Sequence, residues 1–131
     1  MPGRDARNAD NAPIFSDAER AYLNDVHPMA RLATVGPDGA PHVMPLGMYW
    51  IDQQTDDIVT SGKDLAHTKK WRDVQRTHRA AIVVDDVQPP FRPRGIEVRG
   101  RAEVVDDEQP RIVIHPQRVV AWGLEQVPGQ R

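Results

Sequence analysis

The stretch TSGKDLAHTKK, Thr60 to Lys70, gathers the residue types that hold an anion: hydroxyls at Thr60 and Ser61, a glycine at Gly62, and lysines at Lys63, Lys69 and Lys70. Where a strand end passes through Ser and Gly into a helix start, free amide N–H groups and ammonium groups converge. Phosphate can be held that way without a P-loop. An ordinary strand-to-helix turn uses the same residues. The surrounding charge sharpens the question. Between Lys63 and Arg79 lie six cations (Lys63, Lys69, Lys70, Arg72, Arg76, Arg79) against Asp64 and Asp73, in a chain of net charge −2. A compact basic island on an acidic chain suits a small anionic ligand better than a nucleic acid, which needs a wider basic face. The alternative is a solvated helix face with surface arginines.

Other chemistries find no footing. The chain has no cysteine, which removes thiol catalysis, disulfides, Cys-zinc sites and iron–sulfur clusters. The five histidines contain no H-x-x-x-H pair, and no metal site is expected. Asp56-Asp57, Asp85-Asp86 and Asp106-Asp107 are paired carboxylates, but adjacent residues on a strand point to opposite faces, so these are read as polar strand ends. G-x-S-x-G, GxGxxG and Walker A patterns are absent. No residue earns a catalytic assignment.

The elements that must position Thr60 to Lys70 follow from periodicity. Residues 1–13 are polar and read as a disordered segment. Ser16 and Glu19 have capping-box spacing, and open a helix that His27-Pro28 closes. Leu32–Val35 and His42–Trp50 are strands flanking a Pro37-Asp38-Gly39 turn. Ile58–Ser61 is a short strand. His67, Trp71, Val74 and His78 then fall on one helix face, with Trp71 on the core side. Ala80–Val84, the alternating run GIEVRGRAEVV with a bend at Gly100, and RIVIHPQRVVAWGL complete six strands. A folded unit over 14–124 and a loose tail over 125–131 result. Six strands and two short helices without βαβ alternation describe a mainly β (α+β) chain, an antiparallel barrel rather than a Rossmann fold. One feature resists. The second strand carries Pro41 and Pro45, and proline has no N–H to give a ladder.

The segments RLATVGPDGAPHVMPLGMYW, TSGKDLAHTKKWRDVQRTHRAAIVVDD, RPRGIEVRGRAEVV and IVIHPQRVVAWGL resemble, in this order, the pyridoxamine 5′-phosphate oxidase-like split-barrel proteins. They are most similar to the actinobacterial branch assigned to the deazaflavin F420, in the group that contains the tetracycline-completing reductase. The resemblance implies a six-stranded antiparallel split β-barrel of the FMN-binding type, forming a homodimer with two cofactor sites at the interface. It implies that Val43, Met44, Pro45 and Leu46 run along the cofactor ring, and that Pro45 is tolerated because its missing N–H points out of the ladder. An edge strand guarded by proline is the other reading of Pro45. The resemblance places Thr60, Ser61, Lys63, Lys69 and Lys70 at the phosphate end, with Arg72 or Arg76 near a polyglutamate tail. Trp122 would close over the site from the second subunit, or belong to the dimer core. Only DEQP separates the last two strands, where many members insert a helix.

The function so implied is an F420H2-dependent oxidoreductase that transfers a hydride to a conjugated or quinone-like small molecule. An FMN-dependent enzyme of the same fold, and a non-catalytic flavin, F420 or haem carrier, are the alternatives. With no apolar run near the roughly 20 residues of a membrane span, a cytoplasmic protein without membrane or nucleic-acid partners is expected.

Overall fold

The computed structural model describes residues 3–6 and 12–124. Its strands are β1 (Arg4–Asp5), β2 (Ala30–Val35), β3 (Pro41–Pro45), β4 (Met48–Ile51), β5 (Ile58–Ser61), β6 (Arg79–Gln88), β7 (Arg92–Val105) and β8 (Arg111–Trp122). Two short helices, α1 (Asp17–Ala21) and α2 (Lys69–Thr77), accompany them. All strands join one antiparallel sheet in the order β3-β2-β6-β7-β8-β5-β4, with β1 on the side of β8. The two edges, β3 and β4, are consecutive in the chain and joined only by Leu46-Gly47. The sheet must therefore curl until its edges meet at a seam. The chain is mainly β, a curled half-barrel with two short helices, as expected.

The core fills the concave face. Leu32, Ile82, Val84, Ile96, Val98, Ile112, Ile114 and Val119 are each at most 1% exposed. Helix α2 covers them with Trp71 and Val74, which places Trp71 in the core as its periodicity requires. Helix α1 has the predicted capping box: the Glu19 amide donates to Ser16 Oγ at 3.1 Å, and the Ser16 amide donates to Glu19 Oε1 at 2.9 Å. A reciprocal cap of this kind is worth about 1 kcal/mol. A π-helical turn, Tyr22–Val26, extends it, and His27 in the left-handed region (φ 50°) ends it.

The strand count departs from six in two places. His42–Trp50 is two strands, β3 paired to β2 and β4 paired to β5, because the chain crosses the seam at Leu46-Gly47. Residues 4–5, within the segment read as disordered, add β1, paired Arg4↔Val119 and Asp5↔Arg118. Arg4 holds that strand down by donating to Glu19 at 2.6 and 2.9 Å and to the Ile14 carbonyl at 2.8 Å. Residues 1–2, 7–11 and the tail 125–131 lie outside the described residues. The bend at Gly100 is a β-bulge, with a register shift between Arg99 and Gly100. A Cβ at Gly100 would stand 2.0 Å from the His115 carbonyl oxygen, so only glycine fits.

The register also explains the prolines. The Leu46 amide donates to the Ala30 carbonyl, so hydrogen-bonded pairs fall at the even positions 42, 44 and 46 of β3. Pro41 and Pro45 occupy the intervening pairs, Val35↔Pro41 and Arg31↔Pro45, whose nitrogens face away from β2. Among the described residues no strand pairs with β3 on that side. The missing N–H groups cost the ladder nothing, and they blunt an open edge.

Candidate functional site

The seam assembles the site. Gly47 lies against Gly62: a Cβ at Gly47 would stand 3.8 Å from Gly62 Cα and 3.9 Å from the Ser61 carbonyl oxygen. The end of β3, the start of β4 and the turn after β5 are therefore neighbours. Register partners share a face, which puts Met48 with Ser61 and Trp50 with Val59. Tyr49 and Ile51 point into the core, so Met48 and Trp50 must point outward, and they are 57% and 43% exposed. A cleft of about 530 Å³ opens there. Met48, Trp50, Leu65, Ala66 and Pro110 give it an apolar wall; Ser61, Gly62, Asp64, His67, Gln109 and Arg111 supply polar groups.

The Gly62–His67 segment forms one rim. Asp64 takes the left-handed region (φ 52°) and starts a 3-10 turn over Leu65–His67, pinned by buried Leu65. None of the amides of Gly62, Lys63 and Asp64 donates a hydrogen bond within the described residues. Thr68 caps α2 by accepting from the Trp71 amide at 3.3 Å, and places Lys69 and Lys70 in the first turn. The helix dipole disfavours cations at that end, and no acidic residue shares the turn. Lys69 is compensated by Asp73, with Nζ at 3.5 Å from Oδ1. Lys70 is half-buried and makes no ion pair among the described residues.

Asp73 organises the underside. It is fully buried, accepting from Thr34 Oγ1 at 2.8 Å and Arg76 Nη2 at 3.0 Å. Burial pushes its pKa up, but the bonds from Thr34, Arg76 and Lys69 outweigh that and hold it below the usual carboxylate range.

The expected residues divide. Ser61 lines the cleft, and Lys63 is exposed beside it without an ion pair among the described residues. Val43 and Met44 are 62% and 57% exposed on the open edge, with Pro45 exposed next to them. Leu46, by contrast, is buried in the core. Thr60 is 0% exposed and donates to the Ile112 carbonyl at 3.4 Å, because its register partner Tyr49 is also turned inward. It supports β5 from beneath. Arg76 is committed to Asp73 and to the Val35 carbonyl, and Arg72 donates to the His67 carbonyl at 3.3 Å. Trp122 lies over Gly95, where a Cβ would meet its Cζ2 at 2.5 Å. It sits at the far end of β8 from Arg111, on the order of 30 Å along the strand. Within one chain it cannot reach the cleft. Met48, Trp50, His67, Gln109 and Arg111 were not picked out in the sequence. The signal available for the first two was a strand of four consecutive large apolar residues, Met48 to Ile51, one face of which a half-buried strand must turn outward.

A family model described as pyridoxamine 5′-phosphate oxidase matches residues 15–123, nearly the whole described chain. The chain belongs to this family. It is 35% identical over 122 residues to the 5a,11a-dehydrotetracycline/5a,11a-dehydrooxytetracycline reductase of Streptomyces rimosus subsp. rimosus, covering 85% of this chain and 84% of that one. A conserved hypothetical protein of Mycobacterium tuberculosis has the same fold, with a TM-score of 0.69 at 21% identity over 95% of this chain and 94% of that one. A structure described as an F420 reductase superposes with a TM-score of 0.56 at 22% identity, over 70% of this chain and 88% of that one.

For a member of the oxidase family, the polar inventory of the seam is spare. Among the described residues no group of three or more His, Cys, Asp or Glu side chains suits a metal ion. Arg111 is held by Asp107 at 3.0 and 3.1 Å; Lys63, next to the lining residues Gly62 and Asp64, and Lys70, in the first turn of α2, make no ion pair among the described residues. An apolar wall of Met48, Trp50 and Leu65 can take a planar ring, and the amides of Gly62, Lys63 and Asp64 are open to an anion. Ser61 and His67 both line the cleft, and among the described residues no hydrogen bond joins them. No helix of the described residues is long and apolar enough to cross a membrane.

Proposed function

We propose that the chain is an F420H2-dependent oxidoreductase that reduces a conjugated or quinone-like small molecule, working as a homodimer. The observation that carries this is the 35% identity, across most of both chains, to a reductase of dehydrotetracycline compounds. The site supports it. Its exposed Met48 and Trp50 present an apolar surface for a planar ring, and Lys63 and Lys70, without ion pairs among the described residues, would present charge for an anionic tail.

When bound, F420H2 supplies a hydride, and with one proton this adds two electrons across a conjugated double bond or quinone. The chain's own part is placement and exclusion of water. Lys63 and Lys70, with Ser61 and the amides of Gly62–Asp64, would hold the anionic end. Met48 and Trp50 would dry one side of the ring, and the edge of β3 from Val43 to Pro45 would run beside it. Thr60 and Leu46 fix those strands from the core side. Arg72 and Arg76 brace the helix and hairpin, and we assign them no ligand. Trp122 of the partner subunit would complete the apolar enclosure, since a chain's own Trp122 is too distant.

Anaerobic titration with F420 and FMN, followed by fluorescence, tests this reading. Binding of F420 at micromolar or lower Kd, about −8 kcal/mol, with weaker FMN binding is expected. Tight FMN binding without an F420 response would assign the site to FMN instead.

A further inference from the structure

The β6–β7 hairpin outruns the sheet. Pairing of β2 with β6 stops at Ala30↔Val84, and pairing of β8 with β7 stops at Gly95↔Trp122. Residues 85–94 therefore run on beyond the sheet as a two-stranded arm, laddered to Gln88↔Arg92, tipped by Pro89-Pro90-Phe91, and sharing a groove with α1 through Gln88, Arg92 and Arg94. Its base is clamped. Asp86 accepts from Arg94 at 2.8 and 3.1 Å and from the Tyr22 hydroxyl at 2.8 Å, and the Arg94 guanidinium stands 4.9 Å over the Tyr22 ring. The tip is apolar and bare: Phe91 is 74% exposed and Val87 55%. Arg92 beside it makes no ion pair among the described residues. A held arm that displays a phenylalanine is a poor use of solvent-facing surface unless something covers it.

The complementary surface stands at the other end of the same strand. Strand β7 begins at Arg92 and ends at Val105, and the turn after it is Asp106-Asp107-Glu108. Only Asp107 is neutralised, by Arg111; Asp106 and Glu108 make no ion pair among the described residues. That turn leads into Gln109, Pro110 and Arg111 on the cleft rim, beside exposed Met48 and Trp50. One end of β7 is thus apolar and basic, the other apolar and acidic. A twofold axis across the middle of a strand exchanges its ends, so two copies stacked this way lay each arm on the other's cleft rim. Both contacts repeat by symmetry, as a closed dimer requires.

We propose that the arm docks on a second copy of this chain, Phe91 against the apolar lip at Met48 and Trp50 and Arg92 against Asp106 and Glu108, so that each cleft is finished by its partner's arm. The occupant is a second copy because the charge and apolar pattern is complementary to itself end for end. This rests on the homodimer in the preceding reading.

A charge swap tests it. Arg92→Glu should weaken dimerisation at least tenfold by sedimentation equilibrium. The combination of Arg92→Glu with Asp106→Arg and Glu108→Arg should return it to within about threefold of the natural chain. Phe91→Ser should also weaken the dimer at least tenfold while its far-UV circular dichroism stays that of the folded chain, since most of the side chain faces solvent in its own chain. A chain that is monomeric at all concentrations, an Arg92→Glu dimer as tight as the natural one, or a swap without rescue would each overturn the proposal. F420 titration of the natural chain separates this from the cofactor reading. Rescue without F420 binding leaves the arm standing and the cofactor wrong; F420 binding without rescue does the reverse.

Discussion

The Lys69 ammonium stands 3.5 Å from the Asp73 carboxylate, whose side chain is 1% exposed. The two neighbouring lysines, equivalent by sequence, are thereby divided: Lys69 neutralises a buried charge, and Lys70 has no such duty.

Reversing each lysine should separate these roles. Lys70→Glu is expected to weaken F420 binding at least tenfold with no loss of melting temperature, as a lost charge-assisted contact of about 1.5–3 kcal/mol implies. Lys69→Glu should mainly lower stability, by setting a second carboxylate against Asp73. Paired affinity and thermal-melt measurements decide it. Equal effects of the two changes would refute the division.

Asp73 itself ties α2 to β2 through Thr34 and to the hairpin through Arg76. Asp73→Ala leaves the buried Thr34 hydroxyl without its acceptor and should cost about 2–4 kcal/mol in urea unfolding. A cost below about 0.5 kcal/mol would contradict the bracing role given to Arg76.

Much of this was legible beforehand, because local chemistry and tertiary structure agree there. Ser16 and Glu19 form their capping box, Trp71 falls on the buried helix face, and Gly100 marks the bulge. Where the sequence misled, tertiary constraint had decided the matter. The split of His42–Trp50 follows from curling the sheet until its edge strands β3 and β4 meet at Leu46-Gly47, which no local pattern announces. Strand β1 depends on Arg4 reaching Glu19. Thr60 and Ser61 look alike in sequence, yet alternation across β5 buries the first and opens the second. His67 enters the cleft only because Asp64 adopts a left-handed conformation and tightens the turn.

Among the carboxylates held below their usual range, three are tied to the framework by arginine or by burial. Arg20 holds Asp56 below the usual range, Arg94 does the same for Asp86, and Asp73 is lowered despite its burial. A depressed folded pKa adds stability above the unfolded value of about 4, and that stability is lost as pH falls through the folded value. The melting temperature should therefore drop on acidification below about pH 4. Asp86→Asn should lower it at neutral pH and make the acid drop shallower. An unchanged acid slope would contradict the assignment.

Packing at the bulge gives a further check. Gly100→Ala drives a methyl group against the His115 carbonyl, at 2.0 Å without relaxation. A loss of about 1–3 kcal/mol or more is expected by chemical denaturation. An unaffected variant would mean that β7 and β8 do not approach as described.

Trp50, 43% exposed over the cleft, should matter to ligand more than to fold. Trp50→Ala is expected to weaken cofactor binding several-fold, in keeping with about 1 kcal/mol for an aromatic contact, while the melt changes little. The same affinity with a large loss of stability would make Trp50 a framework residue.

The central claim, that this seam serves hydride transfer from a reduced deazaflavin, is tested most directly by an anaerobic single-turnover mixture of the protein, F420H2 and the quinone menadione. Return of the oxidised deazaflavin absorbance should be stoichiometric with quinone consumed, faster than without protein, and slowed by Lys70→Glu. A rate equal to the protein-free mixture, with acceleration only when reduced FMN replaces F420H2, would contradict the account.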